Sequence, residues 1–372
     1  MISIVLAVTN DIVTDNRLHK VANTLINNGY KVTIVGRKFA DSQNLFNRPY
    51  HTRRFKLWFN KTFLFYANYN LRLFAYLLRA QVDIVVANDL DTLLASWLAA
   101  KIRRKVLLFD SHELFTEVPE LVDRPFIKHI WRLGERILLP GIHIGYTVSR
   151  PIQEFYKAKY NKDFTLIRNV GMFRFENNHI PDIDEKVIIY QGAVNKGRGL
   201  ELMLETLKLL NGIKLWIVGS GDIIEDLKTK ARVLNVEEKV VFIGRVPLDK
   251  LWKYTSKGDL GFSLEEDLGL NYRYALPNKI FDFIQARIPV IVSDLPEMRS
   301  LVEKYQVGIV LKKRTPENLA ESIKSILFNE AEREDIARNL ELAARDLCWE
   351  REEDKIILLY RDASLLVREQ NA

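Results

Sequence analysis

Residues 272–294 read YRYALPNKIFDFIQARIPVIVSD, which predicts a helix over Asn278–Ala286 followed by a buried strand over Pro289–Val292. The free N–H groups and partial positive charge of a helix N-terminus favour a phosphate, and Lys279 adds a full positive charge there. Asp282 follows one turn later and can accept hydrogen bonds from sugar hydroxyls. This combination predicts a nucleotide-sugar site. The structural alternative is a helix capped by Asn278, with an ion pair between Lys279 and Asp282.

The first half of the chain alternates strand-like and helical patterns. Ile2–Val8 is a nearly continuous apolar run, as expected of a parallel strand covered on both faces, and the helix after it ends at Gly29. Lys31–Val35 completes a β–α–β unit, which closes right-handed into a parallel sheet. Further predicted strands are Asp83–Ala87, Lys105–Phe109 and Ile142–Val148, and further helices cover Thr92–Ala100 and begin at Pro151.

A second series of the same kind starts at Val187. Its predicted strands are Val187–Tyr190, Lys214–Val218, Val240–Ile243, Leu260–Leu264 and Pro289–Val292, and its helices are Leu200–Leu210, Ile223–Val233 and Asn278–Ala286. Two doubly wound, Rossmann-like α/β domains facing a cleft are the simplest architecture for two such series. The predicted organisation is a first domain at 1–168, a polar linker at 169–185, a second domain at 186–345, and a helical segment at 346–372 that crosses back to the first domain.

Composition limits the class of protein. With 48% hydrophobic and 28% charged residues, the chain is globular rather than disordered. The single cysteine, Cys348, excludes an internal disulfide framework and indicates a reducing compartment. The apolar N-terminus lacks a basic n-region and a cleavage site, so we interpret it as a strand and not as a signal sequence.

The net charge of +7 predicts an anionic partner. Much of the excess lies in the region Arg37–Arg79, where basic residues alternate with aromatic residues. The basic residues are Arg37, Lys38, Arg48, Arg53, Arg54, Lys56, Lys61, Arg72 and Arg79, and the aromatic residues are Phe55, Trp58, Phe59, Phe63, Phe65, Tyr66, Tyr69, Phe74 and Tyr76. This composition suits an anionic membrane surface or a nucleic acid, and it equally suits a basic surface over buried aromatic rings.

Two other strand–helix junctions of the second series are rich in glycine. Residues 192–199 read GAVNKGRG, which puts Lys196 and Arg198 at the start of a helix, and residues 219–222 read GSGD. Either sequence alone is weak evidence, because a solvated Gly-rich turn is common. Glycines or cations follow three strands of this series, and ligands of open α/β sheets bind along that edge. The three junctions together therefore predict one ligand site.

Acidic loops follow two strands of the first series. Residues 110–113 read DSHE, where His112 is either a ligand-binding residue or part of a capping cluster with Ser111. Asp89 and Asp91 form Asp-Leu-Asp. We interpret them as helix caps and not as metal ligands, because no other carboxylate or histidine has matching spacing.

The sequence leaves the roles of one further residue and one further segment undecided. Arg17 follows Asp15, a predicted N-cap, and points either into the cleft or to solvent. The run 265–267, Glu-Glu-Asp, either binds sugar hydroxyls or forms a solvated loop.

Together these motifs resemble the retaining glycosyltransferases of family 4, which have the GT-B fold. The matched series is YQGAVNKGRGLELML, LWIVGSGD, VVFIGRV, DLGFSL, LPNKIFDFIQARIPVIVSDLPEM and VGIVL, with DSHELF and Asp15-x-Arg17 as landmarks of the first domain. The resemblance covers nearly the whole chain and is strongest from Val187 to Leu311. It is specific for the fold and the reaction class, and not for the sugar.

The resemblance implies a role for each candidate residue. The predicted catalytic residues are His112, Lys196 and Arg198, and the predicted donor-binding residues are Gly192, Gly219, Gly221, Arg245, Tyr274, Pro277, Asn278, Lys279 and Asp282. Lys196 and Arg198 would neutralise the donor diphosphate. His112 would contact the transferred sugar and Asp282 the ribose.

One departure from the family concerns its E-x7-E motif. The first glutamate falls at Tyr274, and the second is shortened to Asp282. Tyr274 can donate a hydrogen bond but supplies no carboxylate. Glu265 or Glu266, in the preceding loop, is the candidate replacement.

The resemblance implies sugar transfer from a nucleoside diphosphate sugar, with UDP as the favoured nucleotide, and with retention at the anomeric carbon. The expected acceptor is a glycan or a lipid-linked glycan of bacterial surface polysaccharide synthesis. No metal or other cofactor is expected, because Lys196, Arg198 and Lys279 can stabilise the leaving diphosphate.

The expected location is cytoplasmic, peripheral on the inner membrane face through Arg37–Arg79, and nucleic acid is not a favoured partner. The rival hypotheses are a sugar-nucleotide 2-epimerase of the same fold and a basic membrane- or nucleic-acid-binding protein without catalysis.

Overall fold

The computed structural model describes the chain except for residues 14, 41, 43, 46, 61, 119–120, 122–123, 176–184 and 372, and except for the side chains of residues 248, 249 and 371. The chain divides into two compact units. Unit 1 comprises Met1–Asn169 and Arg351–Ala372, and unit 2 comprises Val170–Glu350. Most of the predicted linker at 169–185 lies outside the described residues.

Unit 1 is built on a parallel sheet of seven strands. These are β1 Ser3–Ala7, β2 Lys31–Lys38, β3 His51–Lys56, β4 Ile84–Asn88, β5 Val106–Ser111, β6 Ile144–Thr147 and β7 Phe164–Leu166. Their order in the sheet is β3-β2-β1-β4-β5-β6-β7, and β1 pairs in register with β2 (Ser3 opposite Lys31) and with β4 (Ile4 opposite Ile84). The strand order therefore reverses between β1 and β4, and this reversal is the point where open α/β sheets bind ligands.

Helices complete unit 1. They are α1 Asn16–Asn27, α2 Thr62–Arg79, α3 Leu90–Arg103, α4 Pro125–Leu138, α5 Arg150–Tyr160 and, from Arg351 onward, α14 Trp349–Asn371, with short 3-10 turns at Phe115–Glu117 and Leu139–Gly141. As predicted, the C-terminal helix belongs to the first domain. In α14 the Tyr360 hydroxyl lies 3.1 Å from the Tyr146 hydroxyl of β6, and Glu353 accepts a hydrogen bond from Thr24 of α1.

Unit 2 repeats this plan with six parallel strands. They are β8 Lys186–Gln191, β9 Ile213–Val218, β10 Val240–Gly244, β11 Leu260–Ser263, β12 Val290–Ser293 and β13 Gly308–Leu311, in the order β10-β9-β8-β11-β12-β13. Its helices are α6 Leu200–Leu207, α7 Ile224–Val233, α8 Leu248–Thr255, α9 Leu270–Arg273, α10 Asn278–Gln285, α11 Pro296–Tyr305, α12 Pro316–Phe328 and α13 Glu330–Asp346, with a 3-10 turn at Glu237–Lys239. Here the order reverses between β8 and β11. The predicted two-domain α/β fold is confirmed.

The helix caps agree with the sequence-based predictions at some positions and differ from them at others. Asp15 accepts a hydrogen bond from the N–H of Leu18 as the N-cap of α1, and Thr315 does the same for α12 through Asn318. The prediction that Asn278 caps α10 is wrong. Pro277 holds the N-cap position with an extended backbone, and Asn278 is the first helical residue. The predicted helix over Leu200–Leu210 ends at Leu207.

The basic, aromatic region Arg37–Arg79 contains β3 and α2, which the sequence patterns did not predict. Three of the nine aromatic residues named above, Phe55, Phe65 and Tyr69, are buried, so the structural interpretation holds for these positions. Trp58, Phe59 and Phe63 are exposed instead. Of the described helices, none has both the length and the apolar character needed to cross a bilayer.

Candidate functional site

The main polar cluster of unit 2 lies where the strand order reverses, at the carboxyl ends of β8 and β11. Lys279 Nζ lies 2.9 Å from Glu265 Oε1, and Arg198 Nη1 lies 3.4 Å from the same oxygen. Lys279 and Glu265 are buried, whereas Arg198 is half-buried. Two cations thus share one carboxylate oxygen, which leaves the cluster with a net positive charge. Loops 192–199 and 264–269 and helix α10 meet here. The sequence predicted that the first of these loops and the start of α10 lie at one edge of the sheet, together with residues 219–222.

Glu265 is held in place from several sides. Ser263 donates a hydrogen bond to its second carboxylate oxygen (2.6 Å), and Arg314 donates to the backbone carbonyls of Leu264 and Glu265. Burial alone would raise the pKa of Glu265, but Lys279, Ser263 and Arg198 outweigh burial and hold that pKa below its ordinary value. Glu265 therefore stays ionised, and the interpretation of the 265–267 run as a solvated loop is wrong for this residue.

Arg198 has one buried N–H group that donates no hydrogen bond to the described residues. Its Nε is buried and has no hydrogen-bond partner among the described residues, and its guanidinium lies 4.9 Å from the centre of the Tyr272 ring. A buried, unpaired N–H is costly, so such a group marks a place where an acceptor is missing. Lys196, on the same loop, is exposed.

Helix α10 begins at this cluster without a side-chain cap among the described residues. Its first N–H groups therefore combine with Lys279, whose ammonium group lies 4.2 Å from the centre of the Tyr190 ring. The N-terminus of α10, with its dipole, and a buried ammonium group together form an arrangement that accepts an anion.

The ion pair between Lys279 and Asp282, which was the structural alternative for this stretch, does not form, because both side chains bind other partners. Lys279 pairs with Glu265, and Asp282 accepts a hydrogen bond of 2.7 Å from Gln191 Nε2 at the end of β8. Gln191 is fixed in turn by Thr255, whose hydroxyl donates to its Oε1 at 2.6 Å. Asp282 is thus oriented at the carboxyl end of β8.

The glycines of the two junctions allow their loops to touch. A Cβ on Gly219 would lie 1.8 Å from the carbonyl oxygen of Gly192, and one on Gly221 would lie 2.2 Å from that of Val194. Gly219 and Gly192 also have φ angles of 155° and 128°, which favour glycine. The close packing of the two loops explains why these positions are glycines. Gly192 itself is exposed and lies next to Lys279.

The remaining predicted donor residues lie on neighbouring loops of unit 2. Arg245 is exposed just after Gly244, whose carbonyl accepts a hydrogen bond from the N–H of Gly219. Tyr274 is partly buried in the connection between α9 and α10.

Unit 1 carries a second polar cluster, at the carboxyl ends of β4 and β5. Arg17 is buried and binds Asp110 through two hydrogen bonds of 2.9 Å, and it donates a third to the carbonyl of Ile167. His112 Nε2 lies 2.9 Å from Asp110 Oδ2, and Asp89 accepts a hydrogen bond from the His112 backbone N–H. Arg17 therefore points neither to solvent nor freely into an opening, since it holds Asp110.

The charge of His112 follows from these neighbours. Burial alone would lower its pKa, but the carboxylates of Asp110 and Asp89 outweigh burial and raise the pKa to about 9. Burial alone would raise the pKa of Asp110, yet Arg17 and His112 lower it to about 2. His112 is thus an imidazolium at neutral pH. It can donate a hydrogen bond but cannot act as a general base.

Asp89 and Asp91 play different parts from those predicted. Asp89 occupies the N-cap position of α3, but its side chain makes no capping hydrogen bond, and its φ of 62° is strained for a non-glycine residue. Asp91 is buried and accepts a hydrogen bond from Thr9; burial and Asp89 raise its pKa to about 7. In the described part of the chain, no group of three or more His, Cys, Asp or Glu residues could hold a metal ion.

Sequence patterns missed three residues that organise these clusters. Arg314 lies in a basic loop that gives no local signal, and Gln191 ends an ordinary strand. Asp110 stood out only as part of DSHE, and its partner Arg17 lies 93 residues away in the chain.

Two family models together match most of the chain. One for glycosyl transferases group 1 matches residues 173–342, and one for glycosyltransferase family 4 matches residues 15–170. A chitobiosyldiphosphodolichol beta-mannosyltransferase of Candida albicans is 25% identical over 248 residues, 57% of this chain and 52% of that protein. The chain spans about half the length of the curated relatives it matches.

Solved structures share the fold. A sucrose-phosphate synthase from Thermosynechococcus elongatus matches with a TM-score of 0.78 at 18% identity, over 97% of this chain and 99% of that chain. Anabaena HepE, solved with UDP and glucose, matches with a TM-score of 0.75 at 14% identity, over 97% and 100%. At these identities the matches show the fold alone. Taken with the family models, they place the chain in the group 1, family 4 glycosyltransferases, which have the GT-B fold.

Proposed function

We propose that this chain transfers a sugar from a UDP-sugar to a glycan or lipid-linked acceptor, with retention at the anomeric carbon and without a metal ion. The observation that carries the proposal is the cluster of Arg198, Glu265 and Lys279 where the strand order of unit 2 reverses. Its net positive charge and unpaired Arg198 Nε suit a diphosphate. The complex of HepE with UDP and glucose supports UDP as the nucleotide.

In this proposal the protein contributes mainly electrostatic stabilisation of the leaving group. As the bond between the anomeric carbon and the diphosphate breaks, negative charge grows on the phosphate oxygens, where Arg198, Lys279 and the N-terminus of α10 can donate hydrogen bonds. Lys196 adds a positive charge from the exposed loop. The acceptor oxygen attacks the same face of the sugar, and its proton passes to the departing phosphate. This route needs no protein nucleophile.

Glu265 has a positioning role in this scheme. Its buried carboxylate fixes both cations before the substrate arrives, so little reorganisation is needed during the reaction. Tyr274 stands where the family has a glutamate that contacts the sugar. Because Glu265 already binds Lys279, Arg198 and Ser263, we propose that it organises the cations and does not replace that glutamate.

In unit 1, His112 is proposed to donate a hydrogen bond to the transferred sugar. Its Nε2 is bound to Asp110 at 2.9 Å, whereas Nδ1 lies 3.4 Å from Asp89, a longer contact. Nδ1–H is therefore the group that His112 can offer.

We also propose a lipid-linked acceptor, at the inner face of a bacterial membrane and in surface polysaccharide synthesis. The name of the Candida albicans relative includes a dolichol diphosphate, which is a lipid carrier. The basic region Arg37–Arg79, with exposed Trp58, Phe59 and Phe63, supports contact with anionic lipid.

A panel of nucleoside diphosphates and their sugars tests this function. A ligand that binds the native state raises its stability, by about 2.7 kcal/mol when present at 100 times its Kd. We expect UDP and one UDP-sugar to raise the Tm of the protein, and other nucleotides to raise it less. The product of that donor with an acceptor lipid should keep the donor's anomeric configuration by NMR.

The same assay separates the rival functions. Conversion of the donor to a 2-epimer without acceptor would show an epimerase and overturn the proposal. A protein that binds no nucleotide sugar but binds nucleic acid with strong salt dependence would overturn it in favour of a binding protein.

A further inference from the structure

Helix α4 of unit 1 buries few of its side chains. Glu135 is buried and accepts hydrogen bonds from the Tyr160 hydroxyl (2.5 Å) and from Lys159 (3.2 Å), and Leu138 is the other fully buried side chain of the helix. The apolar side chains face outward, with Phe126 76% exposed, Ile130 52%, Leu133 51% and Ile137 57%. A surface helix normally turns such a stripe toward the core, so this stripe requires another explanation.

The stripe continues onto the neighbouring helices. Helix α3 packs against α4, and it exposes Leu94, Leu98 and Ile102. The Trp131 ring of α4 lies 5.1 Å from the Tyr66 ring of α2, one turn from the exposed Phe63. We call the exposed side of α2, α3 and α4 the apolar face. It is larger than the isolated apolar side chains that are normal on a protein surface.

The exposed charged side chains of α2, α3 and α4 are all positive. Their Lys and Arg residues are Arg72, Arg79, Lys101, Arg103, Lys128, Arg132 and Arg136. Their acidic residues are Asp91 and Glu135, and both are buried. Nearby Glu117 pairs with Lys128 and Arg132, which leaves Arg136 and the helix-start residue Arg124 exposed to a partner. A partner that fits this face is therefore both anionic and apolar.

We propose that the apolar face docks onto an anionic lipid bilayer, with α4 lying in the interface plane. An interfacial helix buries apolar side chains at the boundary between headgroups and acyl chains, while Lys and Arg bind the lipid phosphates. Tryptophan also suits this depth, and the exposed Trp58 precedes α2, with its ring 4.6 Å from the guanidinium of Arg72. This inference rests on the proposed function, because docking onto a bilayer would bring the enzyme to a lipid-linked acceptor.

A second copy of this chain fits the face less well. A two-fold symmetric contact would place two basic surfaces against each other, and like charges at an interface cost free energy. A bilayer supplies both the apolar layer and the negative charge. The proposal extends the membrane contact from the exposed part of the region Arg37–Arg79, which includes α2, to α3 and α4.

Vesicle flotation tests this proposal. The full chain is mixed with vesicles of phosphatidylcholine alone, or of phosphatidylcholine with an equal part of phosphatidylglycerol. We expect binding to the anionic vesicles, and a loss of about tenfold or more in the double variant Ile130→Ser/Leu133→Ser. Arg136→Glu should weaken binding several-fold, more at low salt than at high salt.

The matched control is Val233→Ser/Leu342→Ser in unit 2, which changes side chains that are 75% and 66% exposed. This variant should bind vesicles like the wild-type protein. Equal binding by wild type, both serine variants and Arg136→Glu would overturn the proposal, as would a wild-type protein that ignores anionic vesicles. A dimer in solution that dissociates on Ile130→Ser/Leu133→Ser would assign the face to a second copy and also overturn it. Nucleotide-induced Tm shifts, measured on the same variants, report on the catalytic function separately.

Discussion

The variant Arg198→Ala is expected to lower kcat for sugar transfer by about 10²–10³-fold, the loss typical when one donor to a developing charge is removed. Arg198 shares the oxygen of Glu265 with Lys279, and its Nε is buried without a partner among the described residues. The fold should survive, because Glu265 keeps its bonds to Lys279 and Ser263. Initial rates at saturating donor, with the Tm of each protein, measure both effects.

The control for this prediction is Arg338→Ala, which removes a largely exposed arginine of unit 2 that pairs with Asp335 on its own helix. It should leave both kcat and Tm nearly unchanged. A fall in kcat that exceeds any rise in KM would show that Arg198 stabilises the transition state more strongly than it stabilises the bound donor. Wild-type turnover in Arg198→Ala would refute the assignment of this cluster to the leaving group.

The variant Arg17→Ala is expected to lower the free energy of unfolding by about 3–5 kcal/mol, which is the usual cost of removing one partner from a buried ion pair. Arg17 and Asp110 are both buried and joined by two hydrogen bonds of 2.9 Å. Without Arg17, the carboxylate of Asp110 would remain buried with only His112 as a charged partner. Urea unfolding followed by circular dichroism measures the change.

A double-mutant cycle gives this prediction its control. In Arg17→Ala/Asp110→Ala the loss should be smaller than the sum of the two single losses by more than about 1 kcal/mol, because the two side chains interact directly. The exposed pair Arg338–Asp335, treated in the same way, should show a coupling below about 0.5 kcal/mol. Additive losses at Arg17 and Asp110 would contradict the structural role given to their ion pair.

The regular part of the fold follows from local patterns. Strands such as β1 and β4 are buried on both faces, so their sequences are nearly continuous apolar runs. Strand β3, at the edge of its sheet, buries only Phe55 and therefore carries little signal. Helix α4 has apolar residues at helical spacing, but their burial could not be predicted from that spacing. Its apolar residues face solvent, so periodicity alone would assign them to a core that they do not enter.

The candidate site was predictable only where neighbouring residues in the chain carry it. The glycines and cations of residues 192–199 and the start of α10 are local features, and the structure brings them together at one edge of the sheet. Glu265 looked like part of an acidic loop, because its partners Lys279 and Arg198 come from elements that become neighbours only when β8 and β11 pair. The same holds for Arg17 and Asp110, which only the assembled sheet of unit 1 brings into contact.

The most direct test of the central proposal is a calorimetric titration of UDP into the wild-type protein and into Arg198→Ala. The proposal places the diphosphate against the cluster of Arg198, Glu265 and Lys279. We therefore expect one UDP to bind per wild-type chain, and to bind about 10- to 100-fold more weakly to the variant, the effect of losing a charge-assisted hydrogen bond. Equal Kd values for the two proteins, or a wild-type protein that binds no nucleoside diphosphate, would contradict it.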